Sequence, residues 1–282
     1  MPTDLLLRIL RHGETPSNSL GIVQGQGVDD SLNDGGFLQA VGVGRSMRSM
    51  RSEGGGGEVE VWCSDLARAR ETARGFEMGF SDCATDEAAL EVPDRAVPVS
   101  SNRCDPRLRE RAKGAQEGRL NNLSMEEAER MDEEEGREGR LFETYVEVRA
   151  RLEEWLGDAI RDRRREEEGG DGGGGGGAEL VVVTHGGCIR TFLRDVFAVS
   201  GDRTVKVFNG SVSTVKIRCL PVPPVEVAPK SRSTGVEGEG LAATRRVAAS
   251  TGEVFDFHAT LVGDLGDISF IPPEHVTKRS DW

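Results

Sequence analysis

Two apolar runs of this 282-residue chain end in the same way, with a histidine that is followed by glycine. Residues 5–10 lead into Arg11 and His12, and residues 180–183 lead through one threonine into His185. Short continuous apolar runs are typical of strands buried on both faces. Because ligands of open α/β sheets bind at the carboxyl ends of parallel strands, both imidazoles are expected at one sheet edge. Arg11 beside His12 indicates a pocket for an anion.

The rest of the pattern alternates between strands and helices. Strands are predicted at residues 58–63, 96–100, 179–184, 211–220 and 254–261, and helices at 36–50, 65–78, 143–165 and 188–196. Asn33 or Asp34 and Ser64 are the expected caps of the first two helices, and Ser124 with Glu127 forms a capping box for a short further helix. This alternation predicts an α/β fold, a three-layer α/β/α sandwich with a mostly parallel central sheet.

We predict one catalytic domain over residues 1–220. A glycine-rich insertion at about 166–178 is expected to be disordered, because it has too little apolar surface to offset the entropy of ordering. It is not a phosphate-binding P-loop, since it lacks the Gly-Lys-Ser/Thr ending and leads into a strand. Residues 221–282 are expected to form an irregular extension, with a last strand packed on the same domain.

Composition narrows the function classes. The formal charge of −13 disfavours nucleic acid and membrane partners, because both are polyanionic. The apolar stretch at the N-terminus is too short for a signal peptide or a membrane span, so a cytoplasmic location is expected. The five cysteines include no CxxC pair, which favours free thiols over a metal site. A small phosphorylated metabolite is the expected partner, and no obligate protein partner is inferred.

The residues beside the two predicted strand ends suit phosphoryl transfer. Neutral imidazole is a good nucleophile at pH 7, and phosphohistidine is labile enough to be hydrolysed, so His12 is the candidate nucleophile. Arginine forks bind the three oxygens of a phosphoryl group, which makes Arg11 and Arg68 the candidate clamp. His185 is expected to donate to the same oxygens. Arg70 is the obvious alternative to Arg68.

Hydrolysis also requires an acid for the leaving alcohol. Glu110 is the candidate, on a polar loop between residues 102 and 122 that is expected to overhang the pocket. Each of these residues also has a structural reading, since a histidine after a strand or a glutamate in an acidic chain is common. Chemistry alone does not single out Glu110.

Five motifs occur in an order that resembles the histidine phosphatase superfamily, also called the phosphoglycerate mutase-like family. They are Arg11-His12-Gly13-Glu14-Thr15 with Asn18; Gln24-Gly25; Ser64-Asp65-Leu66-Ala67-Arg68-Ala69; Leu108-x-Glu110 with Glu117-Gly118; and Thr184-His185-Gly186. The resemblance implies a phosphoglycerate mutase-like fold and a reaction without metal or cofactor. It implies His12 as phospho-acceptor, Glu110 as proton donor, and Arg11, Arg68 and His185 as phosphate ligands. It adds Asn18, Gln24 and Gly25 as substrate contacts and places Gly186 and Gly187 near the phosphate.

Within that superfamily, residues 22–30 and 107–111 look most like the TIGAR group, described as fructose-2,6-bisphosphatases. A phosphatase for a small sugar (bis)phosphate is therefore the leading hypothesis. A phosphoglycerate mutase or a broad phosphomonoesterase on the same fold, and a catalytically weak regulatory binding module, are the alternatives. One departure is Phe142 before Glu143-Thr144, where many members carry glycine, although Arg151 follows at a matching distance.

Overall fold

The computed structural model describes residues 4–51, 59–81, 103–136, 139, 141–169, 178–201, 205–220, 244–271 and 273–276. The strand predicted at 96–100 lies outside these residues, as does most of the predicted glycine-rich insertion. Within the described ranges, no helix has the length and apolar character needed to cross a membrane.

Six strands and six α-helices occur in the described part of the chain. The strands are β1 (Asp4–Arg11), β2 (Val59–Cys63), β3 (Ala178–Thr184), β4 (Val212–Cys219), β5 (Arg245–Ala248) and β6 (Val254–Asp267). The helices are α1 (Pro16–Leu20), α2 (Asp34–Ser49), α3 (Ala67–Phe80), α4 (Met125–Glu134), α5 (Tyr145–Gly169) and α6 (Gly186–Thr191). A π-helical turn (Phe192–Val196) follows α6, and short 3-10 helices occur at Pro106–Leu108, Gly114–Gln116 and Pro273–His275.

The strands form one mixed sheet in the order β2-β3-β1-β4-β6-β5. Strands β2, β3 and β1 are parallel neighbours, whereas β4, β6 and β5 pair antiparallel. Because β6 is antiparallel to β4, it runs in the direction of β1, and four of the six strands share one direction. The predicted α/β class is confirmed. The register pairs Arg11 with Thr184, so the residues that follow β1 and β3 meet at one edge.

Helices cover both faces of the sheet. On one face, Trp155 of α5 and Ile189 of α6 pack with Leu7 of β1. On the other face, Met47 of α2 and Phe76 of α3 pack in a cluster that includes the ends of β1 and β3. Since successive side chains of a strand point to opposite faces, an apolar run such as β1 serves both layers. The predicted three-layer sandwich is therefore present.

Three local predictions differ from the structure. Helix α3 begins at Ala67, later than predicted, and Ser64 does not cap it; the carboxylate of Asp29 accepts from the Ala67 amide at 2.8 Å. The helix predicted from residue 188 begins at Gly186 and becomes π-helical at Phe192. The segment expected to be irregular up to residue 250 contains β5, which joins the sheet beside β6.

Candidate active site

His12 follows the last residue of β1 and is only 2% exposed. Its Nδ1 lies 2.8 Å from the carbonyl oxygen of Gly13. Because a carbonyl only accepts, Nδ1 carries the proton of the neutral ring and Nε2 holds the lone pair. The Gly13 amide donates to Oγ1 of Thr72 at 2.9 Å, which fixes the turn to α3. The ring is therefore held in the tautomer that a nucleophilic imidazole requires.

His185 lies beside His12 with the two ring centroids 5.1 Å apart. Arg68 Nε donates to its Nδ1 at 3.3 Å, so the neutral ring carries its proton on Nε2. That Nε2 is buried and has no hydrogen-bond partner among the described residues. Burial lowers the pKa of His185 well below its ordinary value, and the charges of Arg68 and His12 lower it further. In the described part of the chain, a buried N–H donor thus lacks an acceptor on a ring that neighbours His12.

The lowered pKa of His185 predicts how stability depends on pH. The unfolded chain takes up a proton at this position at about pH 6.5, whereas the folded chain stays neutral there. The stability that the neutral ring contributes is thus present above about pH 6.5 and is lost as pH falls through the folded pKa. We expect unfolding midpoints to fall between about pH 7.5 and about pH 5.5, and less steeply in His185→Gln. His275→Gln is the control, and a wild-type His185 imidazole that titrates near pH 6.5 by NMR contradicts the prediction.

The two candidate arginines are buried at the same edge. Arg68 is 1% exposed and donates from Nη2 to the Gly25 carbonyl at 2.7 Å, whereas Arg70 on the same helix is exposed. Arg11 is fully buried, and its Nη1 donates to the carbonyl of Val207 at 2.7 Å. Their positive charges both lower the pKa of His185, which places them near that ring. The site therefore concentrates positive charge in a chain that is strongly acidic.

Glu110 belongs to the loop after the 3-10 helix Pro106–Leu108, and its carboxylate lies against the start of α6. Its carboxylate accepts from the Arg111 amide at 2.7 Å and from the Gly187 amide at 3.0 Å. Burial acts to raise the pKa of Glu110, but the charge of Lys113 and these two amide donors outweigh burial, and the pKa is lowered. The carboxylate is thus ionised at neutral pH in the free site and is held at a defined position.

The backbone of Gly187 packs directly against this carboxylate. A Cβ added there would lie 2.3 Å from Oε1 of Glu110, the movable end of a side chain. We expect Gly187→Ala to leave the protein folded, since alanine favours helix by about 1 kcal/mol, while displacing the carboxylate. Activity should fall about 10- to 100-fold, because small misplacements of a catalytic group are costly. Steady-state kinetics and thermal unfolding check this, with Gly139→Ala as control, since nothing lies within 4 Å of a Cβ there.

Asn18 and Gln24 belong to one partly buried amide network, which Asn209 joins to the backbone of His12. Nδ2 of Asn18 donates to Oε1 of Gln24 at 3.2 Å, and Oγ1 of Thr15 donates to the same oxygen at 3.1 Å. Nε2 of Gln24 is left without a hydrogen-bond partner in the part of the chain that the structure describes, and the residue is 7% exposed. A second buried donor is therefore available near the nucleophile.

Gly25 follows with a φ of +53°, a conformation that favours glycine. A Cβ at this position would lie 1.9 Å from Oε1 of Glu117. That carboxylate also accepts from the amides of Gln26 at 2.9 Å and Gly27 at 2.8 Å. Glu117 thereby fastens the loop that supplies Gln24 to the loop that supplies Glu110. Gly186 lies at the first position of α6, buried beside His185.

The departure at Phe142 does not interrupt the site. Arg151 of α5 forms an ion pair with Glu143, Nε to Oε1 at 2.6 Å. The same guanidinium donates to the carbonyls of Arg107 and Glu110. Nε2 of Gln26 donates to the Glu110 carbonyl at 2.9 Å as well. These contacts fix the backbone of the loop from Arg107 to Glu110 and thereby the position of the Glu110 carboxylate.

Sequence reasoning missed one buried polar residue of this edge, Asn209. It lies between the π-helical turn and β4, is 2% exposed, and contacts the backbone of His12. The dipeptide Asn209-Gly210 ahead of an apolar strand is a turn signal, so the turn could have been predicted. The proximity of Asn209 to His12 could not have been predicted. Asn209 also contacts the carbonyl of Gly13, and these two residues are 196 positions apart in the chain.

All ten residues predicted for the site lie at this one edge of the sheet. Within the described ranges, no three His, Cys, Asp or Glu side chains are grouped so that they could hold a metal ion. Two imidazoles, two arginines and a buried carboxylate thus gather at the carboxyl edge of an α/β sheet, a composition suited to an anion. The sequence profile of the histidine phosphatase superfamily (branch 1) matches residues 7–219, and the chain belongs to that superfamily.

Similar proteins agree with this placement. The chain is 30% identical over 211 residues to the metal-independent phosphoserine phosphatase of Arabidopsis thaliana, covering 74% of this chain and 75% of that protein. It is 35% identical over 150 residues to the fructose-2,6-bisphosphatase TIGAR of Xenopus tropicalis, covering 53% and 47%. The resemblance to the TIGAR group is thus confirmed, although the chain spans only about half of that relative's length.

A solved structure shares the fold over nearly the whole chain. The structure titled mycobacterial hydrolase 1 superposes with a TM-score of 0.52 at 20% identity and covers 92% of this chain and 98% of that one. The superfamily match ends at residue 219, so β5 and β6 lie outside it. Both strands nevertheless continue the same sheet.

Proposed function

We propose that the protein is a phosphatase that transfers a phosphoryl group to His12 and then to water. In this proposal Nε2 of His12 attacks phosphorus, and the bond to the leaving oxygen breaks while Glu110 protonates that oxygen. Arg11, Arg68 and His185 bind the equatorial oxygens as negative charge spreads over them. Glu110, now ionised, activates the water that cleaves the phosphohistidine. The reaction needs no metal or cofactor.

One observation carries this proposal: among the residues that the structure describes, the buried Nε2–H of His185 has no acceptor, and its ring lies next to the nucleophile candidate. Leaving such a donor unsatisfied is costly, and native proteins seldom do so without a functional reason. Arg68 donates to the other nitrogen of this ring, which supports Nε2–H as the donor. A phosphate oxygen supplies the acceptor that this site lacks.

A substrate with two anionic groups fits best, and a sugar bisphosphate such as fructose-2,6-bisphosphate is our first choice. The charges of Lys113 and Arg190 act on the Glu110 carboxylate and lower its pKa, so two cations lie within electrostatic range of the proposed acid. Arg111 stacks its guanidinium over Tyr145 at 4.6 Å, which adds a further cation near the same loop. The TIGAR relatives support this choice.

A phosphoserine-type substrate is the second candidate, because the phosphoserine phosphatase relative covers more of the chain than the TIGAR relatives do. Its carboxylate would take the place of the second phosphate near Lys113 and Arg190. A phosphoglycerate mutase needs the same pocket and differs in returning the phosphoryl group to its substrate. A broad-specificity phosphomonoesterase would require no second anionic group.

The test is a phosphate-release panel at neutral pH with EDTA present. It compares fructose-2,6-bisphosphate, 2,3-bisphosphoglycerate, O-phosphoserine and p-nitrophenyl phosphate, alongside an assay for conversion of 3- to 2-phosphoglycerate. A kcat/KM that is highest for fructose-2,6-bisphosphate supports the first choice, and one highest for O-phosphoserine supports the second. Release from none of the substrates, without mutase activity, would overturn the phosphatase proposal and favour a regulatory binding module.

A further inference from the structure

The side-chain amide of Asn209 lies beneath the loop that carries His12. Its Nδ2 is 3.1 Å from the His12 carbonyl oxygen, 3.1 Å from the Gly13 carbonyl oxygen and 2.9 Å from Oδ1 of Asn18. Two of these three partners are backbone carbonyls, which only accept, so the nitrogen of the amide must face them. The two N–H bonds of the Asn209 side chain are thus shared among these three oxygens, all of which lie near His12.

The first consequence concerns the tautomer of His12. The Gly13 carbonyl accepts from Nδ2 of Asn209 and also from Nδ1 of His12. A peptide group held from one side by Asn209 presents its oxygen to the imidazole at a fixed position. Since the hydrogen bond at one ring nitrogen determines which nitrogen is protonated, Asn209 supports the tautomer in which Nε2 is unprotonated.

The second consequence concerns Gln24. Asn209 donates to Oδ1 of Asn18, and the Thr15 amide donates to the same oxygen at 3.3 Å. Asn18 must then direct its own NH₂ group to Oε1 of Gln24. Gln24 in turn has its NH₂ group left as a buried donor without a partner among the described residues. The three amides therefore run in one direction, with Asn209 at the head and a free donor at the end.

We propose that Asn209 is a positioning residue for the phosphoryl transfer, which orients His12 through Gly13 and Gln24 through Asn18. This inference rests on the proposed function. It assigns to Asn209 no contact with substrate. Its two effects are distinct: one acts on the nucleophile and should change kcat, and the other acts on a phosphate donor and should change the affinity for phosphate.

Backbone bonds already hold the path of the chain around Asn209. The Gly210 amide donates to the Arg11 carbonyl at 3.2 Å, and the Arg11 amide donates to the Ser211 carbonyl at 3.0 Å. The Val207 carbonyl accepts from the Arg11 guanidinium. None of these bonds uses the Asn209 side chain, so a substitution of similar size is expected to fold.

Asn209→Asp is the informative variant, because an ionised carboxylate of the same shape cannot donate to any of the three oxygens. Asn18 is expected to turn its NH₂ group toward the new carboxylate, which reverses the amide chain and presents an oxygen of Gln24 to the phosphate. We expect kcat to fall at least about tenfold and the dissociation constant of inorganic phosphate to rise about tenfold. Asn122→Asp, at an exposed position, adds the same charge and should change neither.

Two measurements separate positioning from a merely structural role. Histidine ¹⁵N spectra of the full chain should show His12 protonated at Nδ1 in the wild type and a mixture of tautomers in Asn209→Asp and in Asn209→Ala. In a double-mutant cycle, Gln24→Ala should remove most of the effect of Asn209→Asp on phosphate affinity, because the two residues act in one chain. Thermal unfolding reports whether each variant is folded.

An unchanged His12 tautomer in a folded Asn209 variant overturns the inference, and so does full additivity of Asn209→Asp with Gln24→Ala. If Asn209→Asp does not fold, the His12 tautomer in Asn209→Ala decides whether Asn209 is a positioning residue. The ¹⁵N spectra can be recorded without any turnover of substrate. A wild type without phosphatase activity would therefore count against the proposed function, while the tautomer and phosphate affinity would still decide the role of Asn209.

Discussion

Replacing His12 with alanine is expected to abolish phosphate release, with a loss of at least about 10⁴-fold in kcat. The reason is that Nε2 of His12 is the only protein atom in the proposal that forms a bond to phosphorus. The arginines and His185 would still bind the substrate, so KM should change much less than kcat. Steady-state release of phosphate from the best substrate of the panel measures both quantities.

Covalent trapping makes this prediction specific. Wild-type protein quenched during turnover should carry phosphate that is stable in base and labile in acid, as expected for phosphohistidine, and His12→Ala should carry none. His258→Ala serves as the matched control, because it removes an imidazole from strand β6 on the other part of the sheet. Turnover by a folded His12→Ala variant at more than a few per cent of the wild-type rate would exclude His12 as the nucleophile.

The sequence predicted the part of the site that is local along the chain. His12 and His185 each directly follow an apolar strand, so the strand prediction alone placed both imidazoles at the carboxyl edge of the sheet. Residue type left both Arg68 and Arg70 open, and only the motif resemblance favoured Arg68. The structure agrees with that choice, because Arg68 lies on the buried face of α3 and Arg70 is exposed. The predicted cap of α3 was wrong for a related reason. Asp29, which accepts from the Ala67 amide, comes from a distant loop, and the Ser64 hydroxyl accepts from the Leu66 amide instead.

The parts that could not be predicted depend on contacts between distant segments. The pKa of Glu110 is lowered by the nearby charge of Lys113 and by the amide of Gly187, which donates to the carboxylate from a helix 77 residues away in the chain. Asn209 and Asn18 meet across 191 residues. Spacing in a sequence carries no information about such pairs unless a known motif already joins them. For the same reason β5 was missed, since its four residues are defined only by pairing with β6.

The charge state of Glu110 separates its two proposed roles. In the free site its pKa lies below the ordinary value, so the carboxylate is ionised and suited to activate water. To act first as an acid it must hold a proton when substrate is bound. A phosphate dianion beside the carboxylate raises its pKa by like-charge repulsion, which supplies that condition in the complex. The same residue can therefore act as acid with the ester bound and as base once the leaving group has departed.

Glu110→Gln is expected to lower kcat by about 10²- to 10⁴-fold for a sugar phosphate, whose alkoxide leaving group needs a proton. For p-nitrophenyl phosphate the first step should be nearly unaffected, because the nitrophenolate leaves without protonation. A burst of nitrophenolate equal to the enzyme concentration should then appear, followed by slow turnover, since hydrolysis of the phosphohistidine still lacks its base. Rapid-mixing absorbance measurements detect the burst. Glu129→Gln, on the exposed face of α4, is the control for loss of one negative charge.

The burst distinguishes Glu110 as an acid and base from Glu110 as a support for the loop. A displaced loop would slow phosphorylation of His12 with both substrates alike, so no burst would form and the two losses in kcat would be similar. Equal losses for sugar phosphate and p-nitrophenyl phosphate would therefore remove Glu110 from the proton-transfer role, even if activity fell by the expected amount. The loss of kcat in Gly187→Ala should differ between the two substrates, but by less than in Glu110→Gln. The reason is that this variant moves the carboxylate without removing it.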